Sequence, residues 1–147
     1  MAKVFQGRPI LPAETRGQAV VTHTGFNTLA CYYKSILTNA SRAVCGDQDN
    51  PELFGRDLTD KIICLPKGIG STSAGATWER IAIMGIAPAA MLFSQQIDSL
   101  SAAGLVLADV WAARRICAVD QLGDEFLNYV QAGQPIHIGS DGRVTVG

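Results

Sequence analysis

Residues 61–93 read KIICLPKGIGSTSAGATWERIAIMGIAPAAMLF, and the fold turns on this stretch. Lys61 to Leu65 is a short apolar run of the kind that forms a buried strand. Pro66 to Ser73 carries Gly68, Gly70 and the hydroxyls of Ser71, Thr72 and Ser73, so it reads as a turn. Beyond it Trp78, Ile81, Ala82 and Gly85 fall at i, i+3, i+4 and i+7, one face of a helix. Pro88 forbids continuation of that helix, and Ala89 to Phe93 reads as a second buried strand. Two strands joined through a helix in this way run parallel, which makes the segment a βαβ unit.

Toward the N-terminus, Gly17 to Thr22 is a further β-type run, and a weaker one spans Leu29 to Tyr33. Asn39 to Asp60 is dense in turn formers, including Gly46, Asp47, Asn50, Pro51 and Gly55, and is expected as a long exposed loop. Toward the C-terminus, Asp98 offers an N-cap for a second helix. Leu100, Ala103, Leu107, Val110 and Trp111 make its apolar face. Ile116 to Val119 gives another strand, Asp124 to Val130 a short helix ending before Gly133, and Pro135 to Ile138 with Arg143 to Val146 a closing hairpin. The expected class is α/β: a mixed sheet or partly closed barrel, with a parallel βαβ centre and antiparallel flanks.

The bulk numbers limit the function. A chain of 147 residues fits one domain, burying roughly two thirds of its unfolded surface. Only 17% of residues are charged, the net charge is -1 and no Lys/Arg cluster occurs. Nucleic acid and anionic membrane therefore have no electrostatic handle. The apolar stretch Ile81 to Phe93 is shorter than the ~20 residues that cross a bilayer. The N-terminus lacks the apolar core and cleavage pattern of a secretory signal, so a cytoplasmic location is expected. A hydrophobic share of 48% is slightly rich for a surface wholly exposed to water, which points to a protein partner.

The chemistry-bearing residues are few. Cys31, Cys45, Cys64 and Cys117 are far apart in sequence, with no C-x-x-C pair, and are read as isolated buried thiols rather than metal ligands. His23 and His137 lack acidic or cysteine neighbours at ligand spacing and are read as ordinary hydrogen-bonded histidines. Trp78 and Trp111 are read as packing residues of their helices, and Arg114 with Arg115 as complements of a helix C-terminus. Asp47, Asp49 and Asp57 do not follow the alternation of a calcium loop.

The glycine turn remains. A turn that leads from a buried strand into a helix gathers backbone N–H groups and the helix dipole, and so favours an anion. It is neither a P-loop, which needs Gly-Lys-Ser/Thr at its end, nor a dinucleotide fingerprint, which needs a glycine where Ser73 stands. From spacing alone, Ser71 to Ser73 either cap the helix or line a binding or catalytic site.

The run Leu65-Pro66-Lys67-Gly68-Ile69-Gly70-Ser71-Thr72-Ser73, followed by Gly85-Ile86-Ala87-Pro88-Ala89-Ala90, resembles the small-subunit motifs of aconitase X. The Asp98-initiated helix and the closing Gly133 to Val146 segment, with its Asp141-Gly142-Arg143-Val144-Thr145-Val146 ending, extend the resemblance. It covers about Lys61 to Val146 together with Gly7 to Val21. It implies a swivelling β/β/α domain like the mobile domain of aconitase, spanning 1–147 and docked on a large subunit that holds an iron-sulfur cluster. This chain itself would bind no metal. It further implies a hydro-lyase reaction on a small hydroxy acid, cis-3-hydroxy-L-proline or alternatively a phosphorylated mevalonate. Ser71 would be the general base, and Lys67, Gly70, Thr72 and Ser73 would line the substrate. A different class, a non-catalytic module that docks on a protein and holds an anion, also fits a swivelling fold. A phosphate-carrying swivelling domain would need a histidine in the turn, where there is none.

Two stretches depart from the family pattern. A basic residue is expected directly before the Gly-Ser pair where Ile69 stands, although Lys67 is close. A Ser-Phe-(Leu/Trp)-Gly-Gly-x-Asp segment is expected where Thr24 to Ala30 stands. The second departure bears on the substrate more than on the reaction class.

Overall fold

The structure is a computed structural model that describes residues 2–70 and 74–147. Strands β1 (Lys3–Gln6), β2 (Arg8–Leu11) and β3 (Thr15–Val21) are followed by the short β4 (Phe26–Asn27) and helix α1 (Thr28–Leu37). Then come β5 (Ile62–Leu65), the short β6 (Gly68–Ile69), α2 (Ala74–Met84), β7 (Ala90–Phe93) and α3 (Ser99–Trp111). Strand β8 (Cys117–Asp120), α4 (Asp124–Tyr129), β9 (Pro135–Ile138) and β10 (Arg143–Val146) complete the chain.

One eight-stranded sheet runs in the order β1-β10-β9-β3-β5-β7-β8-β2. Its centre, β3-β5-β7-β8, is parallel, with Val20 opposite Ile63, Ile63 opposite Met91 and Met91 opposite Ala118. Both flanks are antiparallel. The two edge strands, β1 and β2, are separated in sequence by Gly7 alone, so the sheet curls until it nearly closes. The expected βαβ centre, antiparallel flanks and terminal hairpin are all present.

Alternation along the strands divides the core in two, because successive side chains point to opposite faces. Ala19, Val21, Cys64, Leu92 and Val119 face the inside of the curled sheet with Phe126 of α4. Val20, Ile63, Leu65, Met91 and Phe93 face outward against the α1–α3 layer. The aromatic centre of that outer layer is Phe26, Tyr32 and Trp78, with Phe26 stacked on Trp78 at 6.3 Å between ring centroids.

Four expectations are corrected. Leu29 to Tyr33 belongs to helix α1, not to a strand: Asn27 caps it by accepting the Ala30 N–H, and Thr28, Cys31, Tyr32 and Ser35 are buried at helical spacing. Asn39 to Asp60 is irregular but not simply exposed, since Ala43, Cys45, Leu53 and Leu58 are fully or almost fully buried in the outer core. Its turn residues satisfy one another while its few apolar side chains anchor the segment.

The buried face of α3 is Ser101, Gly104, Leu105 and Ala108. The larger residues expected to be buried lie elsewhere: Val110 is 66% and Trp111 73% exposed. Small residues let α3 approach α2 closely, and a Cβ on Gly104 would collide with the Trp78 ring. Arg114 and Arg115 pair with the carboxylates of Asp60 and Asp109 rather than with the end of the helix. Among the described residues no helix is long and apolar enough to cross a membrane.

Candidate functional site

In a parallel sheet the segments that leave the carboxyl ends of the strands gather on one rim, and ligands bind there. On this rim Thr22 to Asn27 follows β3, Pro66 to Gly70 follows β5 and Ser94 to Asp98 follows β7. Each leads into a helix, so the N-termini of α1, α2 and α3 converge and favour negative charge between them.

The middle segment is clamped from both sides. On one side Asp98 accepts the Gly68 N–H on Oδ1 at 2.8 Å and the Ser101 N–H on Oδ2 at 2.9 Å. A Cβ on Gly68 would collide with Ser101 Oγ and come within 2.9 Å of the Asp98 carboxylate, so only glycine fits. On the other side Phe26 and Asn27 pair in parallel with Gly68 and Ile69, and the Phe26 N–H donates to the Lys67 carbonyl at 2.9 Å. Gly70 has φ +114°, a conformation costly for any residue with a Cβ, and a Cβ there would stand 3.0 Å from Asn27 Oδ1.

Of the residues expected at the site, Gly70 and Lys67 lie exposed at this mouth, and among the described residues the Lys67 ammonium is in no ion pair. Ser71, Thr72 and Ser73, which continue the same segment, lie outside the described residues. Two contributors escaped sequence reasoning. Asp98 was legible as a helix cap, but its bond to an amide 30 residues earlier was not. Asn27 was hidden because Leu29 to Tyr33 reads as β, which conceals the helix that Asn27 begins.

A hollow of about 220 Å³ opens beside Ile69, bounded also by Thr24, Asn27, Asn50 and Asp49. It shares Asn27, Ala30, Asp47 and Asp49 with a wider groove of about 610 Å³ that continues along α1 past Tyr33 and Lys34. Asp47 is only 9% exposed, and its Oδ1 accepts the Asp49 N–H at 3.0 Å.

At the end of β3, His23 Nδ1 lies 2.6 Å from Glu52 Oε2, and Nε2 lies 3.1 Å from the carbonyl of Leu127. Both ring nitrogens therefore face acceptors, which only the imidazolium satisfies with two donors. The hydrogen bond to Glu52 accordingly raises the ring pKa above its ordinary 6.5, against the opposing effect of burial. His137 likewise meets Glu14, at 3.2 Å. The reading of both as hydrogen-bonded histidines holds, with acidic partners supplied by the fold.

The four cysteines are buried, but not all are isolated. Cys31 and Cys45 are neighbours that influence each other's ionisation in the outer core, while Cys64 and Cys117 lie apart, on the inside of the sheet. Among the described residues no group of three or more His, Cys, Asp or Glu side chains could hold a metal ion. The described residues therefore do not fit an iron-sulfur cluster.

Residues 4–146 match the family model for the aconitase X swivel domain. Among solved structures, the holo-form of aconitase X from Thermococcus kodakaraensis superimposes with a TM-score of 0.82 at 20% identity. The match covers 99% of this chain and 98% of that one. A UPF0107 protein solved by solution NMR superimposes with a TM-score of 0.75 at 22% identity, covering 97% of each chain. Among curated proteins none matches.

Proposed function

This chain belongs to the aconitase X swivel-domain family, and from that premise we propose that it is a catalytic half-site, completed by a large subunit, in which Ser71 is the general base of a hydro-lyase. The observation that carries the proposal is Gly70: a positive-φ glycine on an exposed rim, against the Asn27 cap, two residues after the Gly68 that Asp98 holds, and bonded directly to Ser71.

In this reaction Ser71 Oγ takes the proton on the carbon next to the substrate carboxylate. The C–H electron pair becomes the new C=C bond, and the hydroxyl on the adjacent carbon leaves as water after protonation. The substrate carboxylate is accommodated by the converging helix N-termini and by Lys67. A helix N-terminus contributes at most about 2 kcal/mol, and one pKa unit is about 1.36 kcal/mol. This chain therefore shifts a serine hydroxyl by roughly one or two units, too little to ionise it at neutral pH. The rest of the stabilisation, and the protonation of the leaving hydroxyl, fall to the large subunit, which in this reading also holds the iron-sulfur cluster.

The hollow beside Ile69 supports cis-3-hydroxy-L-proline over a phosphorylated mevalonate. Its wall carries Asp47 and Asp49 and no Lys or Arg, which suits an ammonium group and repels a phosphate. The test is co-expression with the large subunit and measurement of water elimination from both compounds. Turnover of the hydroxyproline, lost by on the order of a thousandfold in Ser71→Ala with the complex intact, is the expected result. Wild-type turnover in Ser71→Ala would reject Ser71 as the base. A complex inert toward both compounds would favour a non-catalytic docking module.

A further inference from the structure

Cys31 and Cys45 stand on either side of one backbone hydrogen bond: the Gly46 N–H donates to the Cys31 carbonyl at 3.1 Å. Across a trans peptide such a bond keeps the two α-carbons within the limit of about 6.8 Å that a disulfide spans. Ser35, one turn along α1 from Cys31, fixes the same contact, because its Oγ accepts the Val44 N–H at 3.2 Å. Both thiols are buried in the outer core and lie close enough to shift each other's ionisation.

No other pairing of the four cysteines is open to a disulfide. Cys64 and Cys117 lie on β5 and β8, with β7 between them. Two strand spacings are about 9.5 Å, beyond disulfide reach. Both face the inside of the sheet, which separates them from Cys31 and Cys45 on its outer side.

The two members of the pair are also unlike. Cys45 lines the hollow of about 450 Å³ near Phe54 and Gly55, which has room for a small oxidant. The neighbouring Cys31 thiol holds Cys45 below its ordinary value, against burial, whereas the Cys45 thiol and then burial hold Cys31 above it. Cys45 is therefore the sulfur that ionises and reacts first, and Cys31 the one that follows.

We propose that Cys31 and Cys45 are a redox-active pair, which a peroxide closes into a disulfide that fastens the Gly46 to Asp49 stretch to α1. The Cys45 thiolate attacks one peroxide oxygen. An S–O bond forms, the O–O bond breaks, and the departing hydroxide takes up the proton that Cys45 released. The Cys31 sulfur then displaces the hydroxyl from Cys45, so that the S–S bond forms and the hydroxyl leaves with the Cys31 proton as water. The two thiols lose two electrons and one hydrogen peroxide becomes two waters. The link ties together the walls of the groove of about 610 Å³, with Leu29 and Ala30 of α1 on one side and Gly46, Asp47 and Asp49 on the other. It does not depend on the reading of Ser71 as base.

The test treats the full native chain with hydrogen peroxide, blocks the remaining thiols and digests without reductant. Peptide mass spectrometry is expected to find the Cys31 and Cys45 peptides joined with the loss of two hydrogens, and dithiothreitol to part them. Cys31→Ala is expected to abolish the link and leave Cys45 as a sulfenic acid that dimedone traps. Amide exchange from Gly46 to Asn50 is expected to slow on the order of tenfold or more in the linked chain. Absence of the link in the native chain, a link that forms only in denaturant, or one that joins Cys64 or Cys117 instead would overturn the inference, and none of these readings needs a variant to fold. Unchanged exchange in the linked chain would overturn the fastening of the groove.

Discussion

Asp98 and Gly68 are joined by a 2.8 Å hydrogen bond from the Gly68 amide to a carboxylate oxygen whose twin caps α3. One side chain thus starts a helix and pins the turn of the neighbouring βαβ unit. Loss of an N-cap costs about 1 kcal/mol, and a hydrogen bond to a charged group contributes about 1.5 kcal/mol or more. Asp98→Ala is therefore expected to destabilise the chain by about 2 kcal/mol, with Asp98→Asn between the two. Urea unfolding monitored by circular dichroism measures both. A cost for Asp98→Ala no larger than an ordinary cap would show that the Gly68 bond contributes nothing.

How much of this could be read beforehand varies with the range of the interaction. The Asp98 cap and the strand–turn–helix–strand order from Lys61 to Phe93 are local patterns, and both are present. Strands β1 and β2 escaped, because their partners are Val144 and Val119, more than a hundred residues away. Helix α1 was misread because LACYY is compatible with a strand, and only the Asn27 cap with the burial of Cys31, Tyr32 and Ser35 decides for helix. At the site, Gly70 and Lys67 could be named from the motif. The clamp of Asp98 and Asn27 on its two sides could not, since it requires the sheet to bring three strand ends together.

The inverted face of α3 gives the second prediction. Gly104 packs against Trp78 and lies 3.2 Å, measured from an added Cβ, from the Cα of Gly75. Gly104→Ala overpacks this contact and is expected to cost about 1–3 kcal/mol, despite alanine's better helix propensity. Trp111→Ala, on the exposed face, is expected to change stability by no more than about 0.5 kcal/mol. Thermal unfolding of the two variants in parallel discriminates the faces. The opposite ranking would mean that Trp111, not Gly104, faces the core.

The His23–Glu52 pair predicts a pH window. The His23 pKa is raised above 6.5, chiefly by its hydrogen bond to Glu52. Its contribution is complete below 6.5 and fades as pH rises through the raised value. For Glu52, burial opposes the charge, but the hydrogen bonds from His23 outweigh it and hold the pKa below 4.5. That contribution is complete above 4.5 and fades as pH falls through the lowered value. The stability advantage of the native chain over His23→Gln should therefore be greatest between these limits and shrink on both sides. Denaturant midpoints across the pH range test this, and a pH-independent difference would mean that the ring is not charged in the folded state.

The cysteines differ in how readily a thiol reagent should find them. Burial pushes the thiols of Cys64 and Cys117 up. The neighbouring Cys45 thiol, followed by burial, pushes Cys31 up. Cys45 is shifted the other way, first by the Cys31 thiol, and it lines a hollow of about 450 Å³ near Phe54 and Gly55. The thiolate is the reactive form, so a group that combines a lowered pKa with a position beside open space reacts at the smallest local opening. Under native conditions Cys45 is expected to be labelled first and Cys64 last, with all four reacting promptly in denaturant. Time-resolved alkylation followed by peptide mass spectrometry gives the order. Labelling of Cys64 ahead of Cys45 would mean that the curled sheet opens before the Asn39 to Asp60 segment lifts from the helical layer.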